Sequence, residues 1–592
     1  MTELFEISDA FDRRLALSAS GLLHDFNVAG VLSAADVHVA RRVGALAGES
    51  DERVLLAAAL ATRAVRHGSV CVDLAAVADV APELPWPSYD SWVPAVEASP
   101  LVARGVLRWE FGLLYLDRYR QQERQLCADL HERLRRPVPR VDEPVLDAAL
   151  ERIFAEATYD EQRTASRRAA TQWTTVLTGG PGTGKTTTVA GLLALLAEQA
   201  AAHGAPLRIA LTAPTGKAAA RLQEAVVGAA ARLSETDRDR IGAVQAVTLH
   251  RLLGTRRDNS TRFRHHRGNR LPHDVVVVDE SSMVSLTMMT RLVEAVRPDA
   301  RLVLVGDPDQ LASGEAGAVL ADLVWGFADA EPSPVVRLAT THRFGEEIGR
   351  LAAGLRDGDA DAVLGALRAG SDAVEFLSTD DPAPLLRSRL LEAALEVRSH
   401  AEAGREHEAV AALDRHRLLC AHRAGPYGVE HWNRQVERWI GDATGTQVAW
   451  GPPWYAGRPL LVTANDYGLG LFNGDTGVVV ADGDGDGVRA VVAGVGRHLS
   501  FAPSRLGEVQ TMHAMTVHKS QGGQADEVTV LLPPEDSPLL TRELFYTAVT
   551  RAQSVVRVVG TEAAVRAAVA NRAQRATGLR RRLGADGGPP AR

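Results

Sequence analysis

Residues 179–186, GGPGTGKT, have the composition and spacing of a loop that binds phosphate. They lie between an apolar run at 173–177 and a helical pattern at 189–196, which is the setting that such a loop requires. Glycines there let backbone N–H groups converge on phosphate oxygens at a helix N-terminus, a lysine reaches the β and γ phosphates, and a hydroxyl binds Mg²⁺. We therefore predict an ATP site that comprises Gly179, Gly180, Pro181, Gly182, Thr183, Gly184, Lys185, Thr186 and Thr187.

A second chemical pattern is a run of four valines, 275–278, that ends in Asp279 and Glu280. Four apolar residues in succession predict a buried strand, so both carboxyl groups follow directly at its end. Together with the phosphate loop, this pattern predicts that Asp279 holds Mg²⁺, directly or through water, and that Glu280 orients and deprotonates the attacking water. Without such a loop, an acidic pair at this place would be a solvated strand end.

Three further polar residues are candidates for hydrolysis of the terminal phosphate. Gln310 follows the apolar run 301–305, and we predict that it senses the γ phosphate or its water. Arg343 lies in THRF and Arg551 in YTAVTR, both on a second α/β unit. An arginine that reaches a phosphoryl group across a cleft accelerates transfer by roughly 10³- to 10⁵-fold. If both arginines reach one nucleotide, hydrolysis must change the spacing of the two units, which is a translocation stroke. Taken singly, each arginine would be a surface salt bridge.

Lysine usage points to the same motifs. The chain has only three lysines against sixty-three arginines: Lys185, Lys217 in APTGKA (213–218) and Lys519 in TVHKSQG (516–522). A lysine offers a compact ammonium where a planar guanidinium does not fit. We therefore expect all three to contact phosphate or nucleic acid.

The bulk composition excludes several classes of protein. Apolar residues make up 46% and charged residues 24% of the 592 residues, as in an ordinary globular protein. The net charge of −8 excludes a uniformly basic coat but leaves room for a local basic groove. Cys71, Cys127 and Cys420 are too dispersed for a disulfide framework or a zinc site. With an acidic start and no long apolar run, the sequence predicts a soluble, cytoplasmic chain.

The elements that position these motifs form four regions. Residues 1–135 show helical periodicity, as in 52–64, and a proline-rich linker at 135–144 follows. Residues 136–335 and 336–577 each alternate apolar strands with helices, which predicts parallel sheets covered on both faces. A Gly/Val-rich stretch at 450–510 predicts an inserted β unit whose short antiparallel strands are joined by Asp-Gly turns. The tail after Gly578 is predicted to be disordered.

The order of the motifs resembles that of the superfamily 1 class B DNA helicases. The residues that carry this resemblance are Gln162, 179–186, 213–218, 278–281, 306–313, 342–344, 516–522 and 546–551. More narrowly, 309–317, 423–429 and 465–475 resemble the RecD family, the alpha subunits of exodeoxyribonuclease V. Similarity at 68–74 and 114–123 extends the resemblance over nearly the whole chain.

The resemblance implies a fold and an activity. The fold is α/β, with two RecA-like P-loop domains, a helical N-terminal domain and a small SH3-like β-barrel inserted in the second RecA-like domain. The activity is an ATP- and Mg²⁺-dependent DNA helicase that moves 5′ to 3′ on single-stranded DNA from duplex ends, with Gln162 joining the ATP site. The partners are RecB-like and RecC-like subunits in a heterotrimer that processes double-strand breaks, with the N-terminal domain docked on the RecC-like chain.

The same resemblance implies the contacts to DNA. A single strand requires a positive track for its phosphates and surfaces on which bases stack. The family's pattern assigns the track to Pro214, Thr215, His250, Ser313, Thr516 and His518. A basic insertion at 255–274 would form the hairpin, or pin, that meets the duplex junction; the alternative is a solvated loop. His250 and His518 also suit a capping or core-edge position.

Two departures from the family's pattern and one absence qualify these expectations. Gly314 replaces a usual valine, and Gly523-Gln524 stands in place of Ser-Glu, which puts a carboxylate contact to the ribose in question. The common metal-dependent nuclease core needs an acidic residue two places before a lysine, and Thr183, Thr215 and Val517 occupy those places. The sequence therefore assigns nuclease chemistry to a partner, the RecB-like chain.

Two other functions remain open at this point. One is a stand-alone 5′ to 3′ helicase, although such proteins usually carry an N-terminal extension longer than 135 residues. The other is a structural subunit with a vestigial ATPase, against which Lys185, Glu280, Arg343 and Arg551 argue.

Overall fold

The computed structural model describes residues 12–204, 206–256, 259–312, 314–341, 345–446, 454–466, 468–482, 487–494 and 497–584. The N-terminal region, residues 12–135, contains six helices: α1 (Gly21–Val28), α2 (Ala34–Ala47), α3 (Glu52–Arg66), α4 (Tyr89–Glu97), α5 (Pro100–Ala103) and α6 (Asp117–Arg135). Helix α3 begins where the Asp51 carboxylate accepts a hydrogen bond from the Arg53 N–H, and it buries Val54, Leu56 and Leu60.

The purely helical prediction for this region missed a small sheet. Strands β1 (Cys71–Val72), β2 (Leu107–Glu110) and β3 (Leu113–Leu116) pair antiparallel in the order β1-β3-β2. Strands of two to four residues are too short to show a two-residue period, so they leave no clear pattern in the sequence.

The first lobe, residues 143–338, is built on a six-stranded parallel sheet. Its helices are α7 (Glu143–Ile153), α8 (Asp160–Thr171), α9 (Lys185–Ala202), α10 (Gly216–Ala230), α11 (Glu235–Ile241), α12 (Leu249–Leu253), α13 (Leu286–Ala295) and α14 (Val319–Gly326). The strands of this sheet are β4 (Thr174–Gly179), β5 (Ile209–Ala213), β6 (Ala246–Thr248), β9 (Val275–Val278), β10 (Arg301–Gly306) and β11 (Val335–Leu338). Two further strands, β7 (Thr255–Arg256) and β8 (Asn259–Phe263), form a separate hairpin. The order is β11-β4-β10-β9-β5-β6, which confirms the predicted parallel sheet.

Both faces of this sheet are covered. Val276 and Val278 pack into one apolar cluster with α6, α13 and α14, whereas Val275 and Val277 pack into another with α8 and α9. This alternation explains why the strand has no polar residue. The boundary predicted between residues 335 and 336 was wrong. Strand β11 crosses it, and all four residues of this strand pair with β4 in the first sheet.

Between α12 and β9 lies a two-stranded excursion at the place of the predicted pin. Strands β7 (Thr255–Arg256) and β8 (Asn259–Phe263) pair antiparallel. Arg267, after the hairpin, is bound to Asp129 of α6, with 2.6 Å between Nη2 and Oδ2. One of the basic residues of this insertion is thus tied to the N-terminal region.

The second lobe, residues 346–570, repeats the parallel arrangement. Its helices are α15 (Glu346–Asp357), α16 (Ala360–Ala369), α17 (Pro382–Glu402), α18 (Glu406–Arg415), α19 (Val429–Thr444), α20 (Val517–Ser520), α21 (Arg542–Val549) and α22 (Glu562–Ala570). The sheet has the order β12-β21-β20-β13-β19, from β12 (Val374–Ser378), β13 (His416–Cys420), β19 (Ala514–Thr516), β20 (Ala525–Leu531) and β21 (Ala552–Gly560). All four pairings are parallel.

An antiparallel sheet interrupts the second lobe near the predicted place. It consists of β14 (Pro459–Val462), β15 (Thr476–Ala481), β16 (Val488–Gly494), β17 (Arg497–Phe501) and β18 (Val509–Thr511), in the order β17-β16-β15-β14-β18. The pairing of β15 with β16 confirms the predicted strands, while the Asp-Gly turn at 483–486 lies outside the described residues.

The C-terminal strap, residues 571–584, is ordered, so the prediction of disorder after Gly578 was wrong for this stretch. Helix α23 (Leu579–Gly584) buries Leu579 and Leu583 against α6 and α14. The Arg582 guanidinium binds both Glu110 and Glu123, with nitrogen to oxygen distances of 2.7 and 3.1 Å. Only long-range packing stabilises this short arginine-rich helix, and composition does not reveal such packing. Residues 585–592 lie outside the described residues.

The cysteines and the helices bear on two further expectations. Cys71, Cys127 and Cys420 are buried free thiols. Within the described residues, none of the helices combines the length and the apolar character needed to span a bilayer.

Candidate nucleotide site and DNA cleft

The phosphate loop lies between β4 and α9, as predicted. Gly182 and Gly184 have φ angles of 81° and 83°, a conformation that residues with a side chain rarely adopt. The Lys185 ammonium donates hydrogen bonds to the carbonyl oxygens of Gly179 and Gly180, at 2.7 and 2.8 Å. The lysine thus occupies its own loop through two hydrogen bonds to loop carbonyl oxygens.

Gln162 lies beside this loop and is fully buried. Its Nε2 donates a hydrogen bond to the Thr183 carbonyl oxygen at 3.0 Å. Its Oε1 is also buried and has no hydrogen-bond partner among the described residues. Since an unpaired buried acceptor costs about 1–3 kcal/mol, this oxygen suits a ligand that brings a donor, such as the amino group of a nucleotide base.

Carboxyl groups that follow two neighbouring strands lie near the Lys185 ammonium. Asp279 follows β9 and Asp307 follows β10. Burial, with the neighbouring Glu280 as a second cause, raises the pKa of Asp279 to about 7. Burial also raises the pKa of Asp307 and lowers that of Lys185, while the charges of Asp307, Asp279 and Glu280 oppose the lowering for Lys185. The site thus places three carboxyl groups close enough to Lys185 to affect its pKa.

Glu280 has a strained backbone. Its φ and ψ angles are 50° and 41°, in the left-handed region that residues other than glycine, asparagine and aspartate seldom adopt. The amides of Ser281 and Ser282 lie 3.2 Å from the position that a Cβ on Gly306 would take, so the turn packs tightly on β10. Such strain costs about 1–3 kcal/mol and concentrates at functional sites.

The nucleotide site lies at the seam between the two lobes. The Tyr546 hydroxyl of the second lobe donates a hydrogen bond to Asp307 Oδ2 at 2.9 Å, and Gln310 Nε2 donates to the same oxygen at 3.2 Å. The Leu311 N–H donates to Thr547 Oγ1 at 2.8 Å, and Gln521 Nε2 donates to the Leu311 carbonyl oxygen at 2.7 Å. These contacts connect the segment that follows β10 directly to α21 and to the residue that caps the end of α20.

Arg551 enters the same site from the second lobe. It is 4% exposed, and its guanidinium donates hydrogen bonds to the carbonyl oxygens of Thr547 and Gly523 at 3.1 and 3.3 Å. Its positive charge contributes to the lowered pKa of Lys185, after burial, so the two cations share one environment. Arg343, the other predicted arginine, lies outside the described residues.

A cavity with a volume of about 870 Å³ lies between the lobes, and we call it the DNA cleft because residues predicted to bind DNA line it. It contains three of the six residues predicted to bind DNA: Thr215, Thr516 and His518. Thr215 and Thr516 also cap α10 and α20 through their side-chain oxygens. Pro214 directly precedes Thr215, and His250 lies on α12 with its ring 6.0 Å from that of Phe263, outside the lining of the cleft. Ser313 lies outside the described residues, next to Gly314, which does line the cleft.

The lining of the DNA cleft is basic although the chain as a whole is acidic. Lys217, Arg423 and Lys519 line it from the two lobes, Arg66 lines it from the N-terminal region, and no carboxylate is found among the described lining residues. Burial, with Arg417 as the second cause, lowers the pKa of Lys217 to about 8. All three lysines of the chain therefore lie at the candidate nucleotide site or at this cleft, and their contact with phosphate or nucleic acid stays a prediction.

Sequence reasoning missed several residues of these sites. Asp307 follows a strand just as Asp279 does, so the same pattern of an apolar run before a carboxylate could have identified it. Tyr546 and Gln521 lie within motifs that were recognised, but only their contacts show that they join the lobes. No local signal distinguishes Arg66 from the other arginines.

One further group of potential metal ligands lies away from both sites. Glu406, His407 and His498 place one ligand atom each within 4.8 Å of one another. Glu406 is already bound to Arg489, with 2.5 Å between oxygen and nitrogen. Because this ion pair satisfies the carboxylate, we assign no metal to the group.

Comparisons with known proteins match separate parts of the chain to three family models. An AAA domain matches residues 162–316, a UvrD-like helicase C-terminal domain matches 511–559, and the N-terminal domain of the RecBCD enzyme subunit RecD matches 28–109. The first segment contains the phosphate loop, the second contains the motifs at 516–522 and 546–551, and the third contains most of the N-terminal region.

Similar proteins match most of the length of this chain. The RecBCD enzyme subunit RecD of Mycobacterium tuberculosis is 60% identical over 583 residues, which are 97% of this chain and 99% of the relative. That of Mycolicibacterium smegmatis is 61% identical over 94% of this chain and 98% of the relative. The ATP-dependent RecD2 DNA helicase of Deinococcus radiodurans is 32% identical over 82% of this chain but only 60% of its own length. With the nucleotide seam and the basic cleft in place, the chain belongs to the family of RecBCD enzyme subunit RecD.

Proposed function

We propose that this chain is an ATP-dependent DNA helicase and translocase that acts as the motor subunit of a RecBCD-type complex. It moves 5′ to 3′ along single-stranded DNA from duplex ends, together with RecB-like and RecC-like subunits, in the repair of double-strand breaks in the cytoplasm. The full-length match to relatives named RecBCD enzyme subunit RecD supports the partners. The match to an ATP-dependent DNA helicase supports the reaction.

The observation that carries this proposal is the position of the nucleotide site at a seam. Lys185 and Asp307 come from the first lobe, Tyr546 and Arg551 from the second, and all four share one environment. A nucleotide held there contacts both lobes, so loss of its terminal phosphate releases contacts between them. The DNA cleft is lined by the same two lobes, and a change in their spacing therefore moves the strand.

Each residue of the site has a role in this scheme. Lys185 neutralises the phosphates, Gln162 accepts a hydrogen bond from the base, Glu280 accepts the proton of the attacking water, and Gln310 positions that water. Arg551 and Arg343 stabilise the charge that develops on the transferred phosphoryl group. Thr186 and Asp279 would hold Mg²⁺, because a hydroxyl and a carboxylate are the oxygen ligands that this ion prefers, and the bound ion would neutralise phosphate charge.

The remaining regions have supporting roles. Thr215, Thr516 and His518, with Pro214, His250 and Ser313, bind the single strand, and the hairpin of β7 and β8 is the pin at the duplex junction. The two lobes are RecA-like domains, and the antiparallel sheet β14 to β18 is an SH3-like barrel. The N-terminal region docks on the RecC-like subunit. Nuclease activity belongs to the RecB-like subunit, because no lysine of this chain follows an acidic residue by two places.

Replacement of Glu280 by Gln in the complex co-purified with its RecB-like and RecC-like chains tests the proposal. We expect nucleotide binding to persist and DNA-stimulated hydrolysis to fall by about 10²- to 10⁴-fold, since general-base catalysis contributes that much. Unwinding of duplexes with 5′ overhangs should fall in parallel. Glu156→Gln, at an exposed glutamate outside both sites, is the control.

Hydrolysis near the parental rate in Glu280→Gln would remove Glu280 from the catalytic role. Unwinding by the chain without partners would favour a stand-alone helicase instead. Absence of any DNA-stimulated hydrolysis in the parent would favour a structural subunit.

A further inference from the structure

We propose that Arg66, the last residue of α3, binds a phosphate of the DNA strand, so that the N-terminal region forms part of the DNA track and does more than dock a partner. This inference rests on the proposed DNA-binding function of the cleft and adds a contact from outside the two motor lobes.

The position of Arg66 is the first observation. It lines the DNA cleft of about 870 Å³ together with residues that the second lobe supplies, such as Arg423 and Lys519. Among the described residues of the lining, it alone comes from the N-terminal region. A cleft that contains cations and no described carboxylate is the environment in which an additional guanidinium binds phosphate.

The Arg66 side chain is also held in a defined orientation. Its Nε donates a hydrogen bond to Asp36 Oδ1 at 2.8 Å and its Nη2 donates to Asp36 Oδ2 at 2.5 Å. Asp36 is fully buried and accepts further hydrogen bonds from the N–H and the hydroxyl of Ser33, at 2.9 and 3.0 Å. This bidentate contact uses one edge of the guanidinium, while 40% of the side chain stays exposed. The remaining N–H groups are therefore available to a phosphate in the cleft. Because Asp36 already fixes the Arg66 side chain, binding costs little further side-chain entropy.

Asp36 does not cancel the positive charge around Arg66, because a second arginine lies close by. Arg63 lies one turn earlier on α3, is 4% exposed, and interacts electrostatically with both Asp36 and Arg66. Its Nε donates to the Val31 carbonyl oxygen at 2.6 Å, and its buried Nη2 has no hydrogen-bond partner among the described residues. Two arginines and one aspartate leave a net charge of +1, which attracts a phosphate.

The segment after Arg66 is attached to the first lobe. Gly68 has a φ angle of 85°, and its carbonyl oxygen accepts a hydrogen bond from the Gly317 N–H at 2.9 Å. Val70 N–H donates to the Ala576 carbonyl oxygen of the strap at 3.0 Å, and Ser69 Oγ accepts from Ala576 N–H at 3.1 Å. Arg66 therefore moves with the first lobe. A phosphate that it binds moves with those held by Thr215 and Lys217 during each stroke.

The test is the salt dependence of binding of an oligo(dT) strand by the full chain, in the absence of nucleotide. For a single strand, each phosphate contact contributes about 0.7 to the slope of log K against log salt. We expect Arg66→Ala to reduce the slope by about 0.7 and to weaken binding about fivefold at 0.1 M salt, the factor that this slope corresponds to. Arg66→Lys, which keeps the charge, should retain the slope.

The matched control is Arg53→Ala. Arg53 lies on the same helix, binds Asp51 through Nε and Nη2 in the same bidentate manner and has an equally exposed side chain, 39%, but it does not line the cleft. The control should retain the parental slope.

Equal slopes for Arg66→Ala and Arg53→Ala would overturn the inference. An equal reduction of the slope in Arg66→Lys and Arg66→Ala would also overturn it, because a folding defect and not the missing charge would then explain the change. Failure of the parent to bind the strand would refute the proposed DNA cleft itself, and is thereby distinguishable from failure of Arg66 alone.

Discussion

Replacement of Tyr546 by Phe removes one oxygen atom from the seam between the lobes. The Tyr546 side chain is 2% exposed, and its hydroxyl donates to the 3% exposed Asp307 at 2.9 Å. Asp307 keeps its hydrogen bonds from Gln310 Nε2 and the Asp309 N–H. The variant thus breaks one contact between the lobes without emptying the site.

The expected magnitude follows from the kind of hydrogen bond that is lost. A hydrogen bond to a charged group contributes about 1.5–3 kcal/mol. We expect the arrangement of the lobes in which hydrolysis occurs to require this contact, so its loss raises the barrier to hydrolysis. Since about 1.4 kcal/mol corresponds to a tenfold change in rate, kcat/KM for DNA-stimulated ATP hydrolysis should fall about 10- to 150-fold.

Steady-state hydrolysis and thermal unfolding should be measured on the same samples, with Tyr455→Phe as the control. The Tyr455 hydroxyl donates to the Glu437 carboxylate at 3.1 Å, also within the second lobe, but away from the seam. The control should lose stability and keep kcat/KM. If Tyr546→Phe loses stability and likewise keeps the parental kcat/KM, the contact is structural only and the coupling of the lobes through Asp307 is refuted.

Two further predictions concern stability. Arg582→Ala should lower the free energy of unfolding by about 3–5 kcal/mol in urea titrations, because it leaves the fully buried Glu123 without its cation. Arg581→Ala, at an exposed arginine of the same helix, is the control. Equal losses in the two variants would contradict the role of the strap. Burial lowers the pKa of His416 to about 3, so this group stays neutral in the folded chain while the unfolded chain takes up a proton below about pH 6.5. Stability should therefore fall as the pH falls from 6.5 towards 3, and His416→Gln should flatten the dependence of the melting temperature between pH 7 and 5. The exposed His24→Gln should leave that dependence unchanged, and an unaltered slope in His416→Gln would contradict the cause assigned.

The residues of the nucleotide site were recognisable in the sequence because their constraints are local. Glycines at 179–184, a lysine at the start of α9 and carboxylates directly after a run of valines each lie within a few positions of the element that presents them. Strand and helix periodicity likewise predicted both parallel sheets. The antiparallel pairing of β15 with β16 was predictable for the same reason, since adjacent strands need only a short turn.

The contacts that bring these motifs together join positions far apart in the chain. Tyr546 meets Asp307 across 239 residues, and Arg582 meets Glu110 across 472. Arg66 lies in the DNA cleft because backbone hydrogen bonds attach its segment to Gly317 and Ala576. No periodicity encodes such pairs, since each partner looks like an ordinary surface residue until folding buries it. Sequence patterns thus specified the chemistry of each motif, whereas long-range packing established which motifs face one another and which arginines reach the cleft.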